Sequence, residues 1–127
     1  KDVPGWTWET ACRFYLEEYW DPIRLSEIPF PVAIGLFDSA VNEGPGTAVK
    51  HFQAARRLEV DGIVGPKTIA SAHRVVASAE TFEAFLVEFA GYRLERYRKL
   101  DDAPAFFRGW ANRTVMVSLD ALKEYSA

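Results

Sequence analysis

Almost everything that marks a metal or redox protein is missing from these 127 residues. A single cysteine, Cys12, excludes an internal disulfide. Histidine is scarce. His51 and His73 lie 22 positions apart with no cysteine at zinc-site spacing, so no metal is expected and both read as exposed or capping side chains. No Gly-x-Ser-x-Gly elbow or phosphate-binding glycine loop occurs, and no cofactor is implied. Long apolar runs are absent too. The best, Pro31 to Phe37, is far shorter than the roughly 18 residues of a membrane-spanning helix. Nor is there a surplus of positive charge: a net charge of −3 and a pI near 5.4 argue against a general binder of nucleic acid or anionic membrane.

What is present is apolar and aromatic. Hydrophobic residues make up 49%, with nine Phe, five Tyr and four Trp, which excludes a disordered chain. The length suits one domain with a radius of gyration of roughly 14 Å. Periodicity is helical almost throughout. Thr7 is placed to cap a first helix carrying Ala11, Phe14, Tyr15 and Tyr19, and Pro22 ends or turns it. Pro29 and Pro31 bracket a connection, after which a compact apolar helix spans about Val32 to Val41. Gly44-Pro45-Gly46 opens another, about Thr47 to Leu58, burying Ala48, Val49, Phe52 and Ala55. A turn-rich segment from Val60 to Pro66 leads into a short helix from Lys67 to about Val76. Phe82, Phe85, Leu86, Phe89, Arg93, Leu94 and Tyr97 then form the longest stripe of helical period, Asp101 to Pro104 interrupts it, and a last helix runs from about Phe106 to Tyr125. No strand alternation or tandem repeat is found. The fold expected is one all-α domain over 1–127, with five to six helices.

Candidate chemistry is sparse. Glu17 and Glu18 lie among Tyr15, Tyr19, Trp20 and Asp21, a mixture that suits sugar binding but reads first as a solvated helical face. Cys12, with no histidine near it in sequence, reads as a small buried hydrophobe. Asp38 and Asn42, four residues apart, share one face of an otherwise apolar helix. Two polar groups there need partners: they brace the following loop, or they line a cleft, and Gln53 is a candidate partner. Asp61-Gly62-Ile63-Val64-Gly65-Pro66-Lys67-Thr68 reads as a rigid connector. Phe30, Trp6 and Trp8, near loops and the N-terminus, could form an exposed apolar patch.

The order of these motifs resembles glycoside hydrolase family 108, a lysozyme-like family. The resemblance is carried by Tyr19-Trp20-Asp21-Pro22-Ile23, by Phe37-Asp38-Ser39-Ala40-Val41-Asn42-Glu43-Gly44-Pro45-Gly46, by Phe52-Gln53 and by the Asp61 to Thr68 string. Phe106-Phe107-Arg108-Gly109-Trp110 followed by Arg113 is similar to that family's end. The resemblance implies a lysozyme-like helical fold and muramidase chemistry: hydrolysis of the link between N-acetylmuramic acid and N-acetylglucosamine, with peptidoglycan glycan strands as partner. It implies substrate contacts from Asp38, Asn42, Trp20, Tyr19 and Gln53, and a place in the bacterial envelope or a phage virion. The family's acid is a Glu in an N-terminal Glu-Gly-Gly-Tyr motif. No Glu-Gly-Gly occurs here, and Glu17, Glu18 and Glu43 do not match its position. The chain begins at Lys1. The expectation is therefore a peptidoglycan-binding portion whose catalytic Glu lies upstream or on another polypeptide, as in a phage endolysin. The alternative is a non-catalytic wall-binding or structural module of a phage particle or secretion system.

Overall fold

Proline and glycine decide where the helices begin and end. The computed structural model describes residues 5–101 and 103–127; among them are six α-helices and no strand. They are α1 (Trp8–Tyr15), α2 (Phe30–Glu43), α3 (Pro45–Ala55), α4 (Pro66–Val75), α5 (Ala79–Arg98) and α6 (Ala103–Ser126). Thr7 caps α1 as expected, in a reciprocal box: the Thr10 amide donates to Thr7 Oγ1 at 3.2 Å and the Thr7 amide to Thr10 Oγ1 at 2.7 Å. Pro45 and Pro66 each sit at the first position of a helix, where a missing N–H costs nothing. Helix α3 runs over Pro45–Ala55 against the expected Thr47 to Leu58, and two other boundaries differ for one shared reason. Pro31 and Pro104 lie inside the first turns of α2 and α6, so both helices start earlier than Val32 and Phe106.

The first helix departs from plain α geometry. From Leu16 to Trp20 it widens into a π turn, succeeded by two 3₁₀ turns at Asp21–Ile23 and Leu25–Glu27. The extra residue in the π turn rotates the next side chains by roughly 100°, so Tyr19 and Trp20 leave the line of Trp8, Ala11, Cys12 and Tyr15.

A single core runs through α2, α3, α4, α5 and α6. Val32, Ala33, Leu36 and Ala40 of α2 are buried in it, against Val49 and Phe52 of α3. The α5 stripe read from the sequence supplies Phe82, Phe85 and Phe89, with Phe85 edge-on to Phe52 at 5.4 Å and Phe82 stacked on Tyr125 of α6 at 4.7 Å.

Two tight joints set the angles between helices. Gly44 alone links α2 to α3 at φ +100°, ψ 145°, a conformation that side chains disfavour. Helix α3 ends in a Schellman motif: the Leu58 amide donates to Gln53 O at 2.8 Å and the Arg57 amide to Ala54 O at 3.1 Å. The left-handed position of that motif, φ +58°, is occupied by Arg57 where glycine is usual. A Cβ at Gly44 would meet no atom within 4 Å, so its penalty is purely conformational. Gly44→Ala is therefore expected to lower unfolding stability by about 1–3 kcal/mol in urea titrations. An unchanged midpoint would show that the joint relaxes freely.

Candidate functional site

The site begins with a charge that has no water. Arg93 of α5 is 0% exposed, at the position where the α5 stripe passes the C-terminal half of α2. Its Nε donates to Glu43 Oε2 at 2.6 Å, and its Nη2 donates to Tyr97 Oη at 2.7 Å and lies 2.9 Å from Asp38 Oδ2. Tyr97 Oη donates to Glu43 Oε2 at 2.6 Å. His51 of α3 brings Nδ1 to 3.3 Å from Glu43 Oε1, its ring stacked on Tyr92. On the other side, Arg113 of α6 grips Asp38 Oδ1 twice, through Nε at 2.8 Å and Nη2 at 2.7 Å. Two carboxylates and two guanidiniums thus tie α2 to α5 and α6, with α3 joining through His51.

Burial pushes the Glu43 carboxyl up, but hydrogen bonds from His51 and Tyr97 and the charge of Arg93 outweigh it, leaving Glu43 below its usual range. Tyr97 is pushed up to about 12, chiefly by burial and then by its bond to Glu43. A depressed carboxyl stabilises the fold above its unfolded value of 4.5 and ceases to do so as pH falls through the folded value. Stability is therefore expected to decline as pH drops below about 4.5. Glu43→Gln should flatten that acid limb while costing about 3–5 kcal/mol near neutrality, because Arg93 is left buried without its closest counter-charge. Denaturant titrations at several pH values check both; an acid limb of unchanged depth in the variant would remove Glu43 from the cluster's energetics.

Asp38 and Arg113 are the members of this cluster that reach a groove. A cleft of about 590 Å³ is walled by Trp8, Ala11, Cys12, Tyr15 and Leu16 of the first helix, floored by Phe37, Asp38 and Val41 of α2, and closed by Arg113. A further depression along α6 shares Asp38 and Arg113 and continues past Gly109 to Asp120. Trp8 is 82% exposed, and α1 buries none of its residues. Aromatic faces above a carboxylate–guanidinium pair are a surface that stacks on sugar rings and exchanges hydrogen bonds with hydroxyl and amide groups.

The residues singled out by sequence are distributed unevenly around it. Asp38 lines the groove and braces α5 and α6, not the 44–46 loop. Asn42 is exposed, outside the groove lining, and donates to Asp38 O one turn back on its own helix at 2.8 Å. Trp20 packs edge-on to Phe37 at 5.5 Å and donates Nε1 to Ser26, so it backs the floor without lining it. Tyr19 stands behind Tyr15 at 5.8 Å. Gln53 is no partner of Asp38 or Asn42: buried, it clamps the following loop. Its Nε2 donates to Asp61 Oδ1, Ile63 O and Thr68 Oγ1, and its Oε1 accepts from the Asp61 and Gly62 amides. Cys12 is half-buried on the groove wall instead of in the core, and His51 faces Glu43 instead of solvent. His73 is exposed, near Glu27 O. Trp6, Trp8 and Phe30 are exposed as anticipated. Glu17 and Glu18 are exposed on the π turn.

Trp8, Tyr15, Arg93 and Arg113 do not stand out from the sequence as site residues. Trp8, Ala11, Cys12 and Tyr15 fall at i, i+3, i+4 and i+7, one helical face, which is the signal that could have found the groove wall. Among the described residues, no group of three potential metal ligands occurs and no helix is long and apolar enough to cross a membrane.

Comparison with known proteins agrees with the sequence motifs. Residues 1–44 match the family model described as Glycosyl hydrolase 108, and residues 35–71 match that of a Putative peptidoglycan binding domain. The solved structure of SagA from Brucella abortus aligns with 95% of this chain at a TM-score of 0.83 and 29% identity, covering 67% of that chain. No curated protein matches. In sequence and fold the chain is thus similar to glycosyl hydrolase 108 and to peptidoglycan-binding domains, and its relation to peptidoglycan follows from both. The two matched segments overlap at 35–44, the stretch of α2 that carries Asp38 and Glu43.

Proposed function

We propose that this chain is the peptidoglycan-binding portion of a lysozyme-like muramidase, holding a glycan strand in the Asp38–Arg113 groove. The observation that carries the reading is the groove's composition: Trp8 and Tyr15 on the wall, Asp38 on the floor and Arg113 closing it. The aromatic rings would stack on the apolar faces of the sugars. Asp38 would accept from hydroxyl or amide groups, and Arg113 would donate to acetyl or lactyl oxygens. Tyr19 and Trp20 serve as the backing of Tyr15 and Phe37, and Asn42 flanks the floor.

The proton for bond cleavage is assigned to a Glu outside this chain. A glycosidic general acid needs a pKa raised by burial, and Glu43, the buried glutamate of α2, is shifted the other way. The setting in which such a chain works is the bacterial cell wall or envelope, and the phage or endolysin origin belongs to the same proposal. A second reading, a non-catalytic wall-binding or structural module, is favoured by α1, which buries no residue in the core and exposes Trp8, Phe14 and Tyr15.

Co-sedimentation with purified peptidoglycan sacculi tests the binding claim. Trp8→Ala and Asp38→Asn should each weaken retention about tenfold, the loss of roughly one stacking or hydrogen-bonded contact. Circular dichroism confirms that the variants are folded. Wild-type binding unaffected by either change would remove the groove from the account. Turbidity clearing by a longer polypeptide carrying a Glu-Gly-Gly-Tyr segment separates the two readings: lysis supports the muramidase, and inactivity supports the module.

A further inference from the structure

The molecule has a second groove whose chemistry differs from the first. It lies between the end of α3, the connector after it and the start of α4, with a volume of about 560 Å³. Its lining includes Gln53, Arg57, Glu59, Asp61, Lys67 and Thr68, and none of its lining residues is aromatic. A neutral sugar ring finds no stacking face there. Charge of both signs is available instead: Arg57 and Lys67 against Glu59 and Asp61. None of these four forms an ion pair among the described residues.

The floor of this groove is held rigid. The two Nε2 hydrogens of Gln53 are shared among Asp61 Oδ1 at 2.9 Å, Ile63 O at 3.0 Å and Thr68 Oγ1 of α4 at 3.2 Å, its Oε1 accepts from the Asp61 and Gly62 amides at 3.1 and 2.9 Å, and Asp61 Oδ1 also accepts from the Ile63 amide at 2.9 Å. Arg24, between the two 3₁₀ turns, donates to Val64 O at 3.1 Å. The braced floor loses little freedom when a ligand is taken up, so the ordering cost falls on the exposed rim side chains. The backbone at Arg57 has the left-handed φ that suits glycine, and the cationic side chain it carries stands at the groove's edge.

We propose that this second groove binds the peptide stems of the wall polymer, short peptides bearing free carboxylates and a free amine. The proposal rests on the reading that the chain binds peptidoglycan, and it divides the polymer between two surfaces. Sugars go to the aromatic groove. Stems go to the charged one, with carboxylates at Arg57 and Lys67 and the ammonium at Glu59 and Asp61.

The test is a titration of the ¹⁵N-labelled chain with the tripeptide L-Ala–γ-D-Glu–meso-diaminopimelate, and separately with a chitooligosaccharide. The peptide should shift the amides of Asp61, Gly62 and Lys67 with saturable millimolar affinity, and the sugar should leave them in place. Lys67→Glu and Arg57→Gly should each weaken the peptide about threefold to tenfold while retaining the wild-type spectrum elsewhere; Arg57→Gly should also raise the unfolding midpoint. Unmoved amides in the presence of peptide, with sacculi still retaining the protein, would overturn the inference and spare the broader reading. Larger shifts at these amides from the sugar than from the peptide would overturn it as well. Peptide-induced shifts without retention on sacculi would uphold this groove and sink the broader reading instead.

Discussion

A guanidinium with none of its surface in water has to be answered by carboxylates, and the arrangement of this molecule depends on how Arg93 is answered. Stripping an ion of water costs several kcal/mol, and only close, hydrogen-bonded counter-charges offset that. Glu43 does so as a hydrogen-bonded carboxylate 2.6 Å from Arg93, Asp38 adds a second negative charge at 2.9 Å, and the neutral Tyr97 hydroxyl accepts a hydrogen bond at 2.7 Å. Apolar contacts along α2 and α5 fix how close the helices come. They do not fix register, because neighbouring apolar side chains exchange places at little cost. An ion pair that fits in only one register sets the sliding position of α5 against α2. Asp38 is thereby shared between a wholly buried cation and a half-exposed one, Arg113, at the groove.

This sharing gives the groove a rigid floor. Asp38 cannot swing towards a ligand without leaving Arg93 or Arg113 short of a partner, so what the groove offers is a fixed pattern of charge. Fixed polar groups reward ligands that match their spacing and cost little entropy on binding. The aromatic wall is built on a different principle. Helix α1 contributes nothing to the core and is held by its cap and by the π turn at its end. Its exposed rings are not fixed by core packing, whereas the floor beneath them is.

Much of this is legible in the residues, for identifiable reasons. Helical periodicity marks Phe82, Phe85 and Phe89 as buried, and the same stripe correctly places Arg93 and Tyr97 on the buried side. Periodicity reports which side faces inward, though, and not which partner waits there. Arg93 and Glu43 are 50 residues apart, so neither announces the other. Asp38 stands out because a lone acid on an apolar helix face needs a partner, whereas Glu43, beside a Gly-Pro-Gly turn, looks like ordinary turn polarity. Gln53 invites a wrong pairing because Asp38 and Asn42 are the polar groups in need of partners, yet the carboxylate it meets is Asp61, eight positions on and nearer in the chain. Tyr19 and Trp20 are expected to touch substrate because the family resemblance implies it, and the sequence reading carries the first helix unbroken as far as Pro22. The π turn that redirects them has no compositional mark, since it reflects tertiary packing more than local preference.

The cluster also bears on where acid chemistry resides. A lysozyme-type acid needs its carboxyl buried among apolar groups and short of cations, so that the protonated form persists near neutrality. Arg93, Tyr97 and His51 surround Glu43 with donors and positive charge, the opposite environment. Converting such a site into a proton donor would mean dismantling the link between α2 and α5, and with it the register that places Asp38. Glu43 is therefore committed to holding the fold by the same bonds that keep its pKa low. A groove made in this way is suited to gripping and orienting a polymer. Any cleavage of that polymer has to draw its proton from a carboxyl that the Arg93 cluster does not hold.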